Sequence, residues 1–120
     1  MSHIFTIAAK VHDPETVAAA CRRLKLPDPV QGTAQLFSGE ATGLLVQLPG
    51  WDYPAVIDTL TGTIHYDNFD GAWGDQAHLD AFLQAYAVEK ALLEARREGH
   101  TVSEETLADG SIHLQIWEAG

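Results

Sequence analysis

Between Pro29 and Asn68 the chain holds four short apolar runs, at 34–37, 43–48, 55–60 and 63–67, and the gaps between them are too short for a helix. A parallel neighbour in a sheet needs a crossover connection of about a dozen residues or more. Only an antiparallel meander fits this spacing. The punctuation agrees: Ser38-Gly39-Glu40 reads as a turn, Pro49-Gly50 ends the second run, and Thr61-Gly62 closes a hairpin.

The flanks add helices and further strands. Residues 4–11 alternate, with Phe5, Ile7, Ala9 and Val11 on one side, which predicts a half-buried strand. Asp13 before Pro14 and Glu15 is a helix start, with a capping side chain, a proline at the first position and an acid at the positive end of the dipole. Val17, Cys21 and Leu24 share one face of that helix, and Pro27 and Pro29 lie beyond its end near Lys25. A second helix is predicted over 75–98, capped by Asp75 and closed by Gly99, with Leu79, Phe82, Leu83 and Tyr86 as its inner stripe. Strands at 102–106 and 111–117 form a last hairpin around Asp109-Gly110, with His113, Gln115 and Trp117 on one side.

The order is β-α-β-β-β-β-α-β-β. One apolar stripe per helix predicts a two-layer α+β sandwich, a mostly antiparallel sheet with both helices on one face. Residues 1–120 read as a single domain. Hydrophobic residues make up 46% of the chain and charged residues 20%, enough to build a core without staples.

Charge narrows the function. Seven basic against seventeen acidic residues give a formal charge of −10. Binders of nucleic acid and of anionic lipid draw their affinity from lysine and arginine, so neither class is expected. No apolar run is long enough to span a membrane, and the start lacks a basic segment ahead of an apolar one, so the expected location is cytoplasmic.

Several segments resemble a known family: Met1-Ser2-His3-Ile4-Phe5-Thr6-Ile7, the stretches 66–73 and 82–86, and the end from Glu98-Gly99-His100 through Asp109-Gly110-Ser111-Ile112 to Trp117. The chain is similar to the plastid and cyanobacterial conserved reading frame thirty-five proteins, domain of unknown function 1257. It departs from them in the middle, where Gln31-Gly32-Thr33-Ala34 stands in place of a Gly-Tyr-x-Gly-like element, so it reads as a divergent member. That family carries no assigned activity. The resemblance implies compartment and element order, and leaves mechanism open.

The side chains that carry chemistry are sparse. Cys21 sits mid-helix in line with apolar neighbours, where a buried structural thiol is expected. His65 and Asp67 share a strand face and could seed a metal site, but no His-x-x-x-His pair supports one, and no metal or cofactor is expected. Glu104 and Glu105 point to opposite faces and cannot act as an acid–base pair. No phosphate-binding glycine loop and no serine elbow is present.

What remains is surface. Trp51, Tyr53, Phe69 and Trp73 fall in loops, and exposed aromatic side chains anchor interfaces as readily as they cap small cores. On the uncovered sheet face Leu45, His65, His113 and Trp117 are expected to sit together. The binding residues expected are therefore Leu45, Trp51, Tyr53, His65, Trp73, His113 and Trp117, in a non-catalytic interaction module for a protein partner or a second copy. The alternatives are a binder of a small apolar ligand and a metal-assisted enzyme using His65 and Asp67.

Overall fold

The computed structural model describes residues 4–118; the Met1-Ser2-His3 part of the family resemblance lies outside them. Two compact units divide the chain, one up to Tyr86 and one from Ala87. The elements are β1 (Phe5–Ala8), α1 (Pro14–Arg23), β2 (Val30–Leu36), β3 (Gly39–Val46), β4 (Ala55–Asp58), β5 (Thr63–Tyr66), α2 (Gln76–Arg97), β6 (Thr101–Thr106) and β7 (Ile112–Trp117). The fold is α+β, in the order read from the sequence. It differs in having two sheets: β6 and β7 form their own, so the last hairpin does not extend the first.

In the first unit the strands lie in the order β1-β5-β4-β3-β2, every pair antiparallel. The meander occupies four neighbouring positions, and the segment through α1 carries the chain from one edge to the other. Asp13 caps α1 as expected: its carboxylate accepts from the Glu15 N–H at 3.0 Å and the Thr16 hydroxyl at 2.8 Å. Asp75 receives the Ala77 N–H at 2.9 Å and so starts α2.

Both helices pack on one face. Val17, Ala20 and Cys21 of α1 and Leu79, Phe82, Ala85 and Tyr86 of α2 share a core with Val46, Ala55, Ile57, Ile64 and Tyr66 of the sheet. Leu79, Phe82 and Tyr86 of the expected inner stripe of α2 are buried, whereas Leu83 packs at the margin and Ala85 is buried in its stead.

The opposite face is not open. Register places Thr6, His65, Val56, Leu45 and Val30 on it in a row across the strands. Val56 has no solvent exposure, and neither has Leu36 beyond 1%. The cover is the sheet itself. Gly39 lies six residues before Leu45, about 20 Å along a straight strand, yet a Cβ built on Gly39 would meet Ile4 Cδ1 at 3.5 Å. That approach requires the β2–β3 hairpin to curl back over this face.

The sequence explains the curl. The concave side of the hairpin carries the cross-strand pairs Gly32–Gly43, Ala34–Ala41 and Leu36–Gly39. Small side chains leave room for the two strands to bend. Thr33 and Thr42, whose hydroxyls lie 2.7 Å apart, are on the exposed convex side. Gly43 stands at the root of the bend, where a Cβ would come 2.3 Å from the Ile57 carbonyl oxygen.

The second unit holds the β6–β7 hairpin, with Trp117 opposite Thr101 and His113 opposite Glu105. Most of its side chains are exposed, Ile116 and Trp117 among them.

Candidate interaction surface

The expected binding residues are divided between the two sheets and the loops. Leu45 and His65 flank Val56 on the face under the curled hairpin, and both are half-buried. The His65 Nδ1 pairs with the Thr6 hydroxyl at 2.8 Å. His113 and Trp117 share one face of the β6–β7 hairpin, in the separate sheet. The expectation that all four meet on one sheet face is therefore corrected, because the last hairpin pairs only with itself.

Trp51 is a structural side chain. It is 4% exposed, its indole N–H donates to the Asp75 carbonyl oxygen at 3.0 Å, and its ring lies 5.8 Å from that of Tyr66. Gly74 makes room for it: a Cβ there would fall 2.4 Å from Trp51 Cδ2. The core-capping reading of a loop tryptophan holds at this position.

Tyr53 and Trp73, in contrast, belong to a surface cluster. Trp73 is the hub. Phe69 stacks on it at 4.8 Å between ring centroids, Phe37 tilts against it at 5.0 Å, and Tyr53 meets it edge-on at 5.7 Å. Phe37 is 60% exposed and Phe69 40%. The spacing of residues points to the loop members but not to Phe37, which belongs to the turn between β2 and β3 and arrives only because the hairpin curls.

The loop from β5 to α2 holds the hub in place. The Asn68 carbonyl accepts the N–H groups of Gly71 and Trp73, and the Asn68 amide donates to the Gly74 carbonyl and the Gln76 side chain, each at 3.3 Å. Phe69 and Asp70 adopt left-handed backbone, φ 48° and 50°. A bulky residue pays for that conformation, and such strain gathers at functional sites. On the other side, the Asp52 N–H donates to the Trp73 carbonyl at 2.9 Å, so the loop before β4 is stitched to the same residue.

Burial pushes the Cys21 thiol up to about 11, with the charge of Asp28 adding to the rise and Arg22 opposing it, which leaves it protonated and inert near neutral pH. Burial also raises Tyr66, helped by Asp80 and opposed by its hydrogen bond to Gln76. Asp67 is 1% exposed, and neither carboxylate oxygen has a hydrogen-bond partner among the described residues. Among those residues no group of three or more metal-ligating side chains comes together. No helix among them is long and apolar enough to cross a membrane. A cleft of about 370 Å³ opens where the hairpin bends away from the β4–β5 turn, lined by Gln31, Thr42, Gly43, Ile57, Asp58, Thr59 and Leu60. Asp58 is its one ionisable side chain, and the Oδ1 of Asp58 is engaged by the Leu60 and Thr61 N–H groups.

No family model, curated protein or solved structure matches this chain.

Proposed function

We propose that this protein is a non-catalytic interaction module that binds a protein partner through the aromatic cluster around Trp73. The observation that carries the reading is the assembly of Phe37, Tyr53, Phe69 and Trp73 from three chain segments, with Phe37 and Phe69 both left exposed. Folding gains little from holding such rings at the surface, whereas binding gains much, because clustered aromatic side chains are favoured anchors of interfaces. The strained backbone at Phe69 supports the same reading. A second copy of the chain is one form the partner could take. Cytoplasmic residence and descent from the reading-frame-thirty-five family belong to the proposal; the single buried thiol of Cys21 is at home in a reducing compartment.

The test is affinity capture from an extract of the native organism with three baits: wild type, Phe37→Ser and Trp117→Ser. A partner that wild type and Trp117→Ser retain and Phe37→Ser loses supports the proposal. Loss with Trp117→Ser alone moves the contact to the β6–β7 hairpin and overturns it. Sedimentation of wild type and Phe37→Ser at tens of micromolar separates self-association from a different partner.

A further inference from the structure

The Trp73 cluster carries an electrostatic signature that narrows its partner. No lysine or arginine occurs between Lys25 and Lys90, so histidines aside every ionisable side chain in β2 to β5 and their loops that carries charge near neutral pH is an acid. Two of these acids adjoin the cluster along the backbone. Asp52 is tied through its backbone to Trp73, and Asp70 follows Phe69 directly in the chain. Both are exposed, and neither carboxylate has a hydrogen bond or ion pair among the described residues. The rim of an interface is polar and keeps its water, so exposed acids there select a partner by the sign of its charge. A cation answers both features at once. It is drawn to the electron-rich ring surface and pairs with the acids beside it.

Resting on the interaction reading above, we infer that the Trp73 cluster docks an arginine- or lysine-bearing segment of a partner protein, its cations lying against Phe37 and Phe69 and beside Asp52 and Asp70. Arginine suits the site better than lysine, since its planar guanidinium stacks on a ring while its N–H groups reach a carboxylate. The long-range field of an acidic chain speeds the encounter, and the rings hold the bound segment.

The experiment is fluorescence anisotropy of a labelled peptide of arginine, lysine, glycine and serine, titrated with the full chain at about 0.1 M salt, where charges beyond roughly 10 Å are screened. The result expected is binding that weakens about tenfold or more in Asp52→Asn/Asp70→Asn and in Phe37→Ser, a loss of about 1.4 kcal/mol or more in each. Glu105→Gln/Glu118→Gln removes the same charge from the second unit and should change affinity less than about twofold, as screened exposed charges do. Equal weakening by both acid pairs would show general attraction and overturn the inference. So would binding that survives Phe37→Ser unchanged, or no binding at all. A partner captured by wild type, lost with Phe37→Ser and indifferent to Asp52→Asn/Asp70→Asn would defeat the cationic inference and leave the interaction module standing.

Discussion

The backbone N–H of Asp13 donates to the hydroxyl of Tyr86 at 3.3 Å, joining the first residue of one helix's cap to the buried face of the other helix. The same aspartate holds the Glu15 N–H and the Thr16 hydroxyl. Asp13→Ala should therefore cost at least ~1 kcal/mol, the usual loss of a helix cap. Tyr86→Phe removes one partner and keeps the ring, and should cost ~0.5–1.5 kcal/mol. Chemical denaturation of both variants checks the pair, and negligible losses in each would mean that the start of α1 is held by packing alone.

Phe82 and Leu83 are neighbours with different work. Phe82→Ala empties a fully buried site and should cost about 3–5 kcal/mol. Leu83 sits at the margin of the same core, so Leu83→Ala should cost less than half of that. Reversed costs in thermal or urea unfolding would show that the inner stripe of α2 runs through Leu83.

Asp67 should yield stability when removed. A buried carboxyl group with neither oxygen hydrogen-bonded forfeits about 1–3 kcal/mol of solvation. Asp67→Leu is close in shape and carries no polar atom, so its midpoint of unfolding should rise. A variant less stable than wild type would show that the carboxyl group has a partner in solution.

Cys21 gives the chain an alkaline limit. Its thiol ionises near its ordinary value of 9.0 when unfolded and at about 11 when folded. Between those values the folded state holds a proton that the unfolded state has released, so stability falls as pH rises across the window. Below pH 9 the effect is absent. Cys21→Ala should flatten the stability profile between pH 9 and 11. Alkylation by iodoacetamide at pH 8 should be slow in the native protein and fast in denaturant.

Local chemistry makes the element order legible in the sequence. Asp13-Pro14, Asp75 and Gly99 mark helix ends through capping and positive φ, and the short gaps of the meander leave one pairing scheme. The curl was hidden by the residues that cause it. Gly32, Ala34, Ala41 and Gly43 carry too little apolar surface to announce a strand, so β2 begins at Val30, four residues before the apolar pattern does. Phe37 looked like the last residue of a strand, and its meeting with Trp73 depends on a bend that no pairwise spacing encodes. Trp51 and Trp73 are indistinguishable as loop tryptophans; only Gly74, which admits one indole and not a methyl group, separates them.

The bend at Gly43 also sets how this chain can drift over generations. At Gly74 the obstacle to a larger residue is a side chain, and shrinking Trp51 would lift it, so those two positions are free to change together. At Gly43 the obstacle is the Ile57 carbonyl oxygen, which every residue possesses. No second substitution can remove it. A larger residue at Gly43 would have to push β3 away from β4, and the seat of Phe37 beside Trp73 would move with the hairpin.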